Sequence, residues 1–232
     1  MGVEIKLDLD GEIVPVKVRR NAQARRMILR VCPNSGEIRL TLPKRASTRA
    51  ANRFLDDHLD WINIEREKAG PCHPIGSGDA VPFQGIDREL IFTGVPPRTV
   101  RAHDDRIEIG GPAEHANKRL LNWFKKQARG QLIGCADQHA RRLGVAFGRV
   151  SIGDMRSRWG SCSSKKTLRF NWRLVLAPPE ILSYVAAHEV AHLVEMNHSP
   201  AFWAQVEACD PGYKAHRAWL KQEGQRLFSV II

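Results

Sequence analysis

One stretch restricts the folds open to this chain more than any other. Residues 181–194 read ILSYVAAHEVAHLV, an apolar run interrupted by His188, Glu189 and His192. A helix that is apolar all round must be buried all round. The segment therefore belongs at the centre of a packed domain, and ionisable groups placed there need a reason. On a helix, His188 and His192 stand four residues apart, one turn along the same face, so both imidazoles can reach one ion. Glu189 is rotated by about 100°, which puts it beside such an ion rather than on it. From there it can take a proton from a water that zinc has acidified.

His198 lies six residues beyond His192. In a continuing helix it would be about 9 Å further along and on another face. It joins the pair only if the helix stops. Asn197 tolerates the left-handed conformation that ends helices, and Ser199-Pro200 are a good cap and first residue for a new one. The chain is therefore expected to turn at Met196-Asn197 and bring His198 back. Three histidines and one open position make a catalytic zinc arrangement, one ion per chain. Glu207 on the next helix is the alternative third ligand.

The 232 residues, 43% hydrophobic and 26% charged, suit a soluble protein of one large or two small domains. No apolar run reaches the roughly 18 residues of a membrane span, and the N-terminus lacks the basic start and apolar block of a secretory signal. Five scattered cysteines, Cys32, Cys72, Cys135, Cys162 and Cys209, fit a reducing compartment better than a disulfide framework. A cytoplasmic, membrane-free protein is expected. The net charge of +11 favours polyanionic partners, nucleic acid among them. Arginines cluster in RRNAQARR and PKRASTRAANR. With no DNA-reading motif beside them, the plainer reading is a solvated basic surface.

VEIKLDLDGEIVPVKV alternates around Asp-Gly and predicts a hairpin. RMILRVCPNSGEIRLTLP predicts a second, closed at Pro-Asn-Ser-Gly. Ala51, Phe54, Leu55, Leu59 and Ile62 recur at helical spacing and predict one helix over 47–69. After the connector GPCHPIGSG, short strands are expected around AVPFQG, RELIFTG and RIEIGG. An amphipathic helix of about thirty residues then ends at Gly144, with Leu120, Leu121, Phe124, Leu132, Ile133 and Ala136 in its apolar stripe. Two strands follow, RVSIGDMRSRWG and TLRFNWRLVL, joined by SCSSKK. Pro178-Pro179-Glu180 open the helix that carries the histidines. Two further helices start at Ser199-Pro200 and near Pro211.

RSRWGSCSS, LRFNWRLVLAPPEILSYVAAHEVAHLVEMNHSPAFW and DGEIVPVKVRRNAQARRMILRV together resemble the YgjP-like metallopeptidases. These are bacterial zincins, similar in their core to SprT-like and Wss-type proteases. The resemblance covers most of the chain and is densest over 150–205. It implies a zinc peptidase with ligands His188, His192 and His198, Glu189 as base, and a protein or peptide substrate. The spacing to the third histidine equals that of the metzincins, but their helix-ending glycine falls where this chain has Glu195.

The expected architecture is α+β: a minimal zincin-like catalytic domain over 112–232, with a small sheet packed on the HExxH helix, and a β-rich region with one helix over 1–111. Zincin substrates lie as an added strand along a sheet edge, and either TLRFNWRLVL or RVSIGDMRSRWG would be that edge. Arg156, Arg158 and Arg173 would then face acidic substrate groups or the oxyanion, unless they are ordinary exposed strand arginines. Cys162 belongs to a tight turn beside the site rather than acting as a nucleophile. Trp159, Trp172 and Trp203 are expected in the core. Asn171 and Asp210 are candidates to hydrogen-bond the histidines, and Tyr213 and His216 to donate to the tetrahedral intermediate. A competing function is a nucleic-acid-associated protein whose metal is structural or vestigial, or a DNA-linked protease of the SprT type.

Overall fold

The computed structural model describes residues 3–9, 11–32, 36–68, 75–155, 158–230 and 232. Most of the expected connector at 70–78, Cys72, Arg156 and the Pro-Asn-Ser of the second expected turn lie outside them. The protein is α+β, with small mixed sheets and seven α-helices among the described residues. It divides into two compact units, 1–73 and 74–230.

In the first unit, β1 (Val3–Leu9) and β2 (Glu12–Asn21) form the antiparallel hairpin read from the sequence. β3 (Ile28–Val31) pairs antiparallel with β4 (Ile38–Pro43), and β4 lies parallel to β2, giving the order β1-β2-β4-β3. Alternation sends Val14, Val16, Val18, Ile38, Leu40 and Leu42 to one face. There they share a core with Ala51, Leu55 and Ile62. Ser47 caps α1 (Thr48–Asp56) by accepting from the Ala50 amide at 3.1 Å.

The single helix expected over 47–69 is two helices, because α2 (Leu59–Lys68) is a separate element. The break has a local cause. The His58 ring Nδ1 donates to the Phe54 carbonyl at 2.8 Å, and the His58 amide tightens onto Leu55 at 3.0 Å instead.

In the second unit, β5 (Ala80–Phe83), β6 (Ile86–Phe92), β7 (Val100–Ala102) and β8 (Arg106–Ile109) form a sheet of order β5-β6-β8-β7. The expectation of a boundary at 111 differs from the division at 73/74. Phe83 packs 4.8 Å from Trp123 and 6.0 Å from Phe124, ring to ring, so this sheet shares its core with the long helix. That helix, α3 (Ala116–Leu143), buries every fourth residue from Ala116 through Leu120, Phe124, Ala128, Leu132, Ala136 and Ala140. Gly144, at φ 65°, ends it in the left-handed conformation that glycine adopts without strain.

The expected strand RVSIGDMRSRWG is two strands, β9 (Arg149–Gly153) and β10 (Gly160–Cys162). TLRFNWRLVL is strand only over β11 (Thr167–Asn171) and then tightens into a 3-10 segment, Trp172–Leu176. β11 lies in the middle, antiparallel to β10 and parallel to β9. Next comes α4 (Pro179–Ala191), with Pro179 in its first turn and almost every apolar residue buried. α5 (Pro200–Cys209), α6 (Tyr213–Gln222) and α7 (Gly224–Ser229) complete the unit, α7 without a counterpart in the sequence reading. No helix among the described residues is long and apolar enough to cross a membrane.

Candidate metal centre

The helix α4 carries His188 and Glu189 into the core and stops one residue before His192, which is its C-cap. This is earlier than the expected stop at Met196-Asn197. The chain tightens at once: the amides of Leu193 and Val194 bond to the carbonyls of Val190 and Ala191 at 2.9 and 3.0 Å. The turn that follows returns His198 to the helix end. Ser199 then caps α5 by accepting from the Phe202 amide at 3.2 Å.

The result is convergence. Ligating atoms of His188, His192 and His198 all lie within 4.8 Å of one another. The Nε2 atoms of His188 and His198 face each other at 3.1 Å. His192 donates from Nδ1 to the Glu195 carbonyl at 3.2 Å, which fixes its tautomer and leaves Nε2 with its lone pair. Thus Glu195, standing where metzincins have glycine, contributes its backbone. Phe202, fully buried, packs against all three rings, with centroids 4.9, 4.5 and 4.7 Å from His188, His192 and His198. Glu207 is exposed on α5 and stands outside the cluster.

The electrostatics suit a cation. Burial, together with His192 and His198, pushes His188 down to about 3. Burial likewise lowers His192. Neutral imidazoles with converging lone pairs are the donor set that zinc and similar transition metals accept. These residues therefore fit the ion expected from the sequence.

Glu189 is 5% exposed. Burial pushes its carboxyl up to about 8, opposed by the charge of Arg158. Strand β10 passes so close that a Cβ on Gly160 would lie 2.5 Å from Glu189 Oε1. Among the described residues lining the cleft, Glu189 is the one acidic side chain, and Arg158, Ser161 and Met196 share the wall. The sequence carries no sign of the Gly160 contact beyond a glycine in a strand, and none of Phe202 as the floor beyond an aromatic after Ser-Pro.

Several other candidates have partners away from the cleft. Arg173 is buried, paired with Asp154, bonded to the Val230 carbonyl at 3.3 Å and stacked 4.5 Å over the Trp172 ring. It supports the fold rather than facing the cleft. Asn171 donates to the Met155 carbonyl at 2.7 Å and accepts from the Arg173 amide at 3.1 Å, so its amide is spent on capping the 3-10 segment. Asp210 accepts from His216 Nδ1 at 2.7 Å and from the Gly212 amide at 3.1 Å, not from a histidine of the cluster. Tyr213 stacks on Trp203 at 5.4 Å, and neither Tyr213 nor His216 lines the cleft. Trp172 is in the core, with Trp159 and Trp203 packed against it. Cys162 lines the cleft, and burial followed by the charge of Glu189 raises its thiol pKa, which opposes a thiolate.

His188, Glu189 and His192 at the end of α4, joined by His198 after a turn, have the pattern of a metallopeptidase site. The family model described as YgjP-like, metallopeptidase domain matches residues 25–223. The chain belongs to the YgjP-like family, and the protein is a peptidase. A solved structure, the metallopeptidase zymogen of Pyrococcus abyssi abylysin, is similar over 44% of this chain and 99% of its own, at 21% identity and a TM-score of 0.38. No curated protein matches the chain.

Proposed function

We propose that this metallopeptidase is zinc-dependent, with His188, His192 and His198 holding one ion per chain and Glu189 as general base. The supporting observation is the convergence of three imidazoles at the end of the helix that also presents Glu189. When bound, zinc supplies a Lewis acid that polarises the scissile carbonyl and acidifies water.

The chain's own residues supply the rest. The Glu195 carbonyl holds the His192 ring so that Nε2 turns to the site. Phe202 supports the three rings from beneath. A bound cation would favour the ionised form of the Glu189 carboxylate, the form that accepts a proton from water. Once protonated in its buried position, the same carboxyl is a competent donor to the leaving nitrogen. β10 is an edge strand that lines the cleft, and an extended peptide can add to it through main-chain hydrogen bonds. β11, one of the strands considered for this role, is paired on both sides. The substrate is a protein or peptide, and the scattered cysteines suit a reducing compartment such as the cytoplasm.

The test is Glu189→Gln. Hydrolysis of an unfolded protein should be lost while zinc content stays that of the wild type. Equal turnover in the two proteins would refute the role of Glu189.

A further inference from the structure

The arginine clusters of the first unit are not used by the peptidase site. Between Arg19 and Arg53 the chain has ten Lys and Arg and one acidic residue, Glu37. Two of these cations are spent locally: Arg20 donates to the Lys44 and Ala46 carbonyls at 3.1 and 2.6 Å, and Arg39 pairs with Glu37. Four others meet in one place. Arg26 and Arg30 come from the β3 side, and Arg49 and Arg53 stand one turn apart on α1. All four are exposed, and none has an ion-pair partner among the described residues.

They line two clefts that share Arg26, Met27 and Phe54 and so form one groove, running between β3 and the helices α1 and α2. Asp57 is the one carboxylate among the described residues on its wall. The second cleft is aromatic. Phe54 and His58 have ring centroids 4.4 Å apart, and the His58 ring is held by its bond to the Phe54 carbonyl. Trp61 follows on α2, 41% exposed.

We propose that this groove binds single-stranded nucleic acid. Unpaired guanidinium groups track a phosphate backbone, and the exposed Trp61, with half-buried Phe54 and His58 beside it, offers ring surface to unstacked bases without reading their edges. A duplex, whose bases are already stacked, would leave Phe54, His58 and Trp61 unused. An acidic peptide or an anionic membrane would use the arginines without needing Trp61 and the rings beside it.

The experiment is fluorescence anisotropy of labelled oligo(dT) and oligo(U) of about 15 nucleotides with the full chain, at about 50 and about 200 mM NaCl. Binding should weaken with salt along a log–log slope near −3, about −0.7 for each of four phosphate contacts. The Arg49→Glu/Arg53→Glu protein should bind about tenfold or more weakly. Trp61→Ala should lose about fivefold with the salt slope unchanged. Circular dichroism melting checks that each variant is folded; should the double variant unfold, Arg26→Ser replaces it.

No binding at low salt, or affinity unchanged by both substitutions, overturns the proposal. So does equal competition by base-free polyphosphate with no effect of Trp61→Ala, which would make the groove a general polyanion surface. Binding of phosphatidylserine vesicles or polyglutamate in place of the oligonucleotides overturns it as well.

Discussion

Glu189 and Gly160 approach so closely that no side chain fits between them: a Cβ at position 160 would sit 2.5 Å from Oε1 and 2.6 Å from Cγ of the glutamate. The Glu189 side chain, carried by α4, is thus pressed against the edge strand β10. A methyl group added there moves Glu189, since the contact is too short for either to stay. Displacing a catalytic group by about 1 Å can cost about 100-fold in rate. Gly160→Ala should lower kcat by about that factor while zinc content stays that of the wild type. Steady-state kinetics beside metal analysis checks this, and unchanged kcat would show that the contact does not position the base.

Phe202 supports all three imidazoles from one side and is fully buried. Its truncation removes a large packed ring and leaves a cavity. Phe202→Ala should cost about 3–5 kcal/mol of stability and loosen zinc binding. Urea denaturation of wild type and variant reads the first effect, and titration with a chromophoric chelator the second.

Ser199 closes the turn that returns His198 to the site, through its 3.2 Å acceptance from the Phe202 amide. Loss of such a cap costs about 1 kcal/mol. That is the most the substitution can pass on to the metal, so Ser199→Ala should weaken zinc binding by at most about fivefold. A larger drop in chelator competition would mean that Ser199 does more than cap.

His139, on α3, is 3% exposed and shares a 3.0 Å hydrogen bond with the Ser183 hydroxyl of α4. Burial holds its pKa below the ordinary value. The folded chain therefore declines a proton that the unfolded chain accepts once pH falls below about 6.5. The sign follows: the stability His139 allows is complete above that pH and is lost as pH falls towards the folded pKa. In urea unfolding followed from about pH 7.5 to about pH 5.5, His139→Gln should show a shallower acid limb than the wild type. The difference is bounded by one proton, about 1.4 kcal/mol per pH unit. Parallel limbs would contradict the assignment.

Much of the histidine cluster was legible because helical geometry is periodic. The spacing of His188 and His192 fixes a shared face, and Ser199-Pro200 announce a new helix start. Where α4 ends was not legible, since Leu193 and Val194 continue its apolar run without a breaker and only the tight backbone turn shows the stop at Ala191. The break of the first helix at Asp57–His58 depends on the His58 ring taking a carbonyl, which no propensity reveals. Arg173 differs for a related reason: an arginine in a strand pattern reads as exposed, whereas here it pairs with Asp154 and packs on Trp172. Asn171, a candidate partner for the histidines, instead satisfies the Met155 carbonyl and the Arg173 amide.

Whether the three histidines act as one site is tested most directly by elemental analysis of untagged protein, wild type beside His198→Ala. The prediction is about one zinc per wild-type chain, lost or much weakened in the variant. The same zinc content in both proteins would contradict the three-histidine site and move the third ligand elsewhere.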